Sequence, residues 1–211
     1  MKRTSRTSAA SRGLSIIEIL IVSCILIVIM GMAFQAVSYG LRWTAEGGVK
    51  VELQQQAVVA LNNIVGELQK TTSGGVSLVP PATVNSPSIT CVNPIYELDS
   101  NGFPVYEPKV VIFWYDPAIS SLKRKTFPPP TTPAITFTQA APVHVSSSNL
   151  NTIIGQVNDT ERFLARNVTY FLTQSAGTGL YQVSLILEKD VPGTQRKSVA
   201  EFMRKVYLRN N

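Results

Sequence analysis

Glu18 is the only acidic residue among the first 45, and its surroundings make it the side chain best placed to do chemistry. It stands at the head of residues 19–41, which carry no formal charge and are rich in Ile, Leu, Val and Met. A carboxylate carried to mid-membrane costs roughly 2.5–3.5 kcal/mol. Two readings are open: an intramembrane acid whose partner must be found, or an interfacial Glu at the mouth of a helix whose positive dipole end suits it. Other reactive groups offer less. Cys24 lies inside the apolar run and Cys91 far away in a polar context, so the two are not expected to pair. His144 is the only histidine, and there is no CxxC or Cys/His ligand spacing. Zinc sites, Cys-His nucleophiles and Ser-His-Asp triads therefore have little to work with. GxSxG, P-loop and GxGxxG patterns are absent too. No enzymatic activity and no cofactor are expected.

Asp99-Ser100-Asn101-Gly102 has the beginning of a calcium loop, which makes Asp99 and Asn101 weak calcium candidates. The downstream bidentate Glu is missing, and a plain Asp/Asn/Gly turn is the stronger reading. Lys123-Arg124-Lys125 clusters base, but three neighbours in a strand are expected to form a solvated edge rather than a nucleic-acid site.

The chain has 211 residues, 45% hydrophobic and 15% charged, enough for one domain or at most two and too apolar for a disordered polyelectrolyte. Its net charge of +6 is concentrated at one end. Lys2, Arg3, Arg6 and Arg12 supply +4 of it without an acid, so the pI of 9.4 says little about partners and nucleic acid is not directly indicated. These bases precede an uncharged span of 23 residues, 19–41, which at about 1.5 Å per residue reaches across a bilayer. The base-rich side stays in the cytoplasm, so a single pass with the N-terminus in and the C-terminus out is expected.

The run Arg12-Gly13-Leu14-Ser15-Ile16-Ile17-Glu18-Ile19-Leu20 resembles the processing signal of type IV prepilins and pseudopilins. By that resemblance Gly13 precedes the prepilin peptidase cut, Leu14 becomes the N-methylated first residue, and Glu18 is the fifth mature residue. Leu14 departs from the commoner Phe. The spacing has a physical logic of its own. A new α-amino cation at Leu14 would lie about 6 Å in helical rise from Glu18, so the two charges can neutralise each other within a chain or between neighbours. A lone carboxylate in an apolar core is costly and a paired one much less so, so the pair would set the register of subunit packing. Gly13 suits a protease that must approach the backbone closely.

Beyond Arg42, Leu53, Ala57, Leu61, Ile64, Val65 and Leu68 fall on one face of an amphipathic helix, which residues 71–75 stop, with Gly74 and Gly75 available for a left-handed cap. One long helix over 14 to about 70, or an anchor and a second helix joined at Gly47-Gly48, both fit. Twelve of the thirteen prolines lie from Pro80 to Pro142, which discourages long helices there. Strands are predicted over 109–115 (KVVIFWY), 119–127, 163–173, 180–189 and 199–208, with turns at Asp116-Pro117, 177–179 and Pro192-Gly193. Residues 127–143 read as a Pro-rich surface loop. The last segment also fits a helix; it is taken as a strand because its neighbours need a partner.

The expected organisation is a basic leader (1–13), a transmembrane or filament-core helix (14–41), its amphipathic continuation (42–72) and a β-rich head with Pro-rich loops (73–211). The fold class is α+β: a long N-terminal helix packed on an antiparallel sheet, the pilin-like layout. The end Val206-Tyr207-Leu208-Arg209-Asn210, following Phe163 to Leu187, resembles minor pilins and J-type minor pseudopilins of type II secretion. The resemblance implies a minor, structural subunit at a filament tip or initiation complex, which waits in the inner membrane before entering a periplasmic or surface filament. Its implied partners are the prepilin peptidase, other pilins or pseudopilins, the inner-membrane assembly platform and membrane lipid. The alternatives are an exported binding protein cut after Gly31-Met32-Ala33, or a signal-anchored periplasmic protein.

Overall fold

The first proline is Pro80, and nothing before it in the apolar stretch forbids a helix. In the computed structural model, which describes residues 15–83, 86–128, 133–156 and 160–208, α1 runs without a break over Ile16–Leu68. Gly47 and Gly48 lie inside it, so they form no hinge between two helices. The chain resolves into two compact units, Met1–Ala45 and Glu46–Asn211. In the first unit every described residue except the half-buried Ser38 and Ala45 is exposed.

In the second unit α1 buries Val49, Leu53, Ala57, Ala60, Leu61, Ile64, Val65 and Leu68, which is the predicted face extended by two residues, Val49 and Ala60. The helix ends in a tightened turn, with Lys70 and Thr71 donating their N–H groups to Glu67 and Leu68. The expected left-handed glycine cap is absent: positive φ among glycines falls at Gly102, Gly177, Gly179 and Gly193, not at Gly74 or Gly75. Gly75 is needed for a different reason. A Cβ there would collide with Thr71 Oγ1 and stand 3.0 Å from the Asn93 carbonyl, because Thr71, fully buried, hydrogen-bonds that carbonyl at 2.6 Å.

The remaining elements are β1 (Val76–Val79), β2 (Ile89–Val92), β3 (Ile95–Leu98), β4 (Pro104–Tyr106), β5 (Val110–Asp116), β6 (Ser121–Phe127), α2 (Ser147–Gly155), β7 (Arg162–Arg166), β8 (Val168–Gly177), β9 (Leu180–Asp190) and β10 (Lys197–Tyr207). They form antiparallel sheets in the orders β1-β2-β5-β6-β7, β10-β9-β8 and β3-β4. Two apolar cores result. One joins the buried face of α1 to Val111, Phe113 and Tyr115 of β5 and to Tyr181, Val183, Leu185 and Leu187 of β9. The other lies on the opposite face of the larger sheet, where Val110, Ile112 and Trp114 meet Leu150 and Ile153 of α2. Burial on both faces explains why KVVIFWY is continuously apolar rather than alternating. The fold is α+β, a long N-terminal helix packed on antiparallel sheet.

Three expectations need correcting. The strand predicted over 163–173 is two strands in different sheets, divided at Asn167, whose φ of 59° turns the chain. Helix α2, capped by the Ser146 side chain, occupies residues to which no element was assigned. Lys123-Arg124-Lys125 is no solvated edge, because β6 lies between β5 and β7. The ambiguous last segment is a strand, paired with β9 along its whole length.

Candidate functional site

Ser15 begins α1. Its carbonyl accepts the first helical hydrogen bond from Ile19 N–H at 3.1 Å, and its hydroxyl accepts from Ile17 N–H at 3.4 Å. Glu18, in the first turn, reaches back so that its Oε2 accepts from Ser15 N–H at 3.0 Å. This is a capping box: Ser at the cap and Glu three residues on satisfy donors that the helix cannot, and the carboxylate also meets the positive helix end. Neither sequence reading of Glu18, the paired intramembrane acid or the interfacial Glu at the helix mouth, names Ser15 as its partner, although the Ser-x-x-Glu spacing was legible. Gly13 and Leu14 lie outside the described residues.

Past this cap the helix is uncharged from 19 to 41 and exposed along its described residues up to Thr44, apart from the half-buried Ser38. Ile16 is 82% exposed, Phe34 74% and Trp43 79%, and none of its most apolar 18-residue stretch is buried. It is long and apolar enough to cross a membrane as a single-pass anchor.

The other candidates are separate from this region. Asp99 Oδ1 accepts from Asn101 N–H and Phe103 N–H, both at 2.8 Å, and Gly102 has a φ of 82°, so the segment is an Asx-type turn at the tip of the β3-β4 hairpin. Among the described residues no three His, Cys, Asp or Glu side chains converge as metal ligands. Cys91 is buried in the second core, where desolvation pushes its thiol pKa up, while Cys24 is exposed; both are free. His144 is exposed.

The basic triplet is where sequence reasoning fell furthest short. Lys125, 1% exposed, donates from Nζ to the carbonyls of Ile153, at 3.0 Å, and Gln156, at the C-terminal end of α2, and lies 5.2 Å from the Trp114 ring centre. A cation suits that negative helix end. Burial lowers its pKa, with Glu161, 3.6 Å away, opposing. Lys123 sits between Asp116, at 3.1 Å, and Glu161, at 3.0 Å. Burial alone would lower its pKa, but the hydrogen bonds and charges of Glu161 and Asp116 outweigh that and raise it. Arg124 points to the other face and pairs with Glu67 of α1 at 3.2 Å. The cluster ties α2 and α1 to the sheet and leaves little free cation for an anionic ligand.

Comparison with protein-family models, with curated proteins and with solved structures returns no match for this chain.

Proposed function

We propose that the chain is a minor pilin or pseudopilin: a structural subunit held in the inner membrane with its N-terminus in the cytoplasm, cut between Gly13 and Leu14 by a prepilin peptidase, N-methylated at Leu14, and assembled into a type IV pilus or type II secretion pseudopilus, at its tip or initiation complex. The observation that carries this reading is the placement of the Glu18 carboxylate against the N–H of Ser15, the residue next to Leu14 in the chain. A cut after Gly13 would place an amine within the reach of a carboxylate already turned toward the start of the helix. In an apolar filament core that carboxylate would pair with the amine of its own chain or of a neighbour, and the helix, exposed all round, would be covered by other subunits.

The test is mass analysis of the mature N-terminus from membranes with and without the peptidase. A start at methyl-Leu14 that disappears without the peptidase supports the reading. A start at Phe34, or an intact Met1, overturns it in favour of an exported or anchored periplasmic protein. Glu18→Gln separates charge from cap, because the amide still accepts from Ser15 N–H. It is expected to leave cleavage intact and lower incorporation into filaments about ten-fold, the equivalent of about 1.4 kcal/mol; normal incorporation would count against the pairing.

A further inference from the structure

The apolar stretch of α1 is not uniform around its axis. Cys24, Gly31, Gln35, Ser38 and Arg42, spaced i, i+7, i+11, i+14 and i+18, fall within an arc of about 60° at 3.6 residues per turn. The small residues Ala33, Ala36 and Gly40 lie on the far side. Gln35 is exposed and has no hydrogen-bond partner among the described residues, whereas Thr44 satisfies its hydroxyl on the Gly40 carbonyl at 2.8 Å. A shallow groove of about 230 Å³ beside it is lined by Phe34, Gln35, Ser38, Tyr39 and Arg42. One turn away, Gly31 has open space where a Cβ would stand.

In hydrocarbon no solvent can satisfy the two N–H donors and the carbonyl of a carboxamide, so the group needs a protein partner. We infer that this face docks a second copy of the chain, parallel in the bilayer, with the two Gln35 carboxamides hydrogen-bonded across the interface. The carboxamide is both donor and acceptor, so an identical group satisfies it. Membrane insertion gives both copies one orientation, and a two-fold parallel pair brings each Gln35 to the same depth as its mate. Gly31 lets the backbones approach beside that contact. Lipid tails offer no hydrogen-bonding group, and Arg42, at the end of the apolar span, reaches the headgroups. The pairing rests on α1 lying in a bilayer, not on cleavage after Gly13 or on filament membership.

Cys24 lies on the same face, so the pair brings the two Cys24 thiols together, and Cys91 is too buried to compete. The experiment treats the full-length chain, in membranes of cells lacking the prepilin peptidase, with copper–phenanthroline and reads disulfide-linked dimer on non-reducing gels. A Cys24-linked dimer is expected, reduced about five-fold by Gln35→Leu and retained with Gln35→Asn. A Cys24→Ala, Ala33→Cys variant, which moves the thiol to the far face, is expected to link poorly. Equal or better linking from position 33, indifference to Gln35→Leu, or no linked dimer at all would each overturn the inference.

Discussion

The two stretches of α1 belong to one unbroken helix and meet opposite conditions. Residues 46–68 carry a one-sided apolar face, and every residue of that face is buried against strands of the same chain. Residues 16–45 are mostly apolar, uncharged from 19 to 41, and all exposed except the half-buried Ser38 and Ala45. The difference shows that continuity of a helix is a local property, decided by the absence of proline and by the cap at Ser15, whereas burial depends on what the rest of the chain folds against it. Polar groups follow the same division. Lys125 is buried and held by two carbonyls and an aromatic ring; Gln35 is exposed and has no partner among the described residues.

The largest expected effect comes from one substitution made in each stretch. Ile64→Ala, at a fully buried position, should lower stability by about 2–5 kcal/mol, read as a fall in the unfolding midpoint of the detergent-solubilised full-length chain. Ile25→Ala, 54% exposed before the change, should leave that midpoint within about 0.5 kcal/mol. Similar losses at both positions would mean that residues 16–45 also pack in the folded chain and would break the comparison.

A smaller effect tests how α1 is handed to the sheet. Gly75→Ala forces a Cβ against Thr71 Oγ1 and the Asn93 carbonyl and should cost about 1–3 kcal/mol. Gly66→Ala, inside α1 with open space at its Cβ position, should instead stabilise by about 0.5–1 kcal/mol. Paired melting curves of the two variants decide it, and the same sign for both would refute the close-contact account of Gly75.

The smallest effect is a titration order within β6. Folding favours deprotonation of Lys125, so its contribution to stability rises with pH between its lowered folded value and the ordinary lysine value. Folding favours protonation of Lys123, so its contribution is complete below the ordinary lysine value and is lost as pH climbs through its raised one. An NMR titration of the side-chain nitrogens should show Lys125 losing its proton first and Lys123 after it. The reverse order would mean that the carboxylate of Glu161 serves Lys125 rather than Lys123.

Much of the fold was legible because it rests on short-range pattern. The apolar span, the heptad-like face from Leu53 to Leu68, the alternation in β9 and the unbroken apolar run of β5 each report a period or a two-sided burial directly. Helix α2 was hidden because only Leu150 and Ile153 of its nine residues are buried, too few to show a period. The division of 163–173 at Asn167 was hidden because a single left-handed residue leaves no trace in hydropathy. The cap on Glu18 stood in the spacing Ser15-x-x-Glu18 and needed only the hydrogen-bond geometry to be recognised.

The sequence by itself determined that a helical stretch precedes Pro80, that residues 19–41 are an uncharged, bilayer-length span and that antiparallel strands follow, since these depend on proline placement, periodicity and composition along neighbouring residues. That the helix is one piece across Gly47-Gly48 came from the structure. Only the tertiary structure decided what the charges do. Lys123, Arg124 and Lys125 read as a basic surface until residues 28 to 57 positions away, Ile153, Gln156, Glu161 and Glu67, come to meet them. A charge's cost and partner are set by distance in space and by the water excluded around it, and neither is written in the order of the chain.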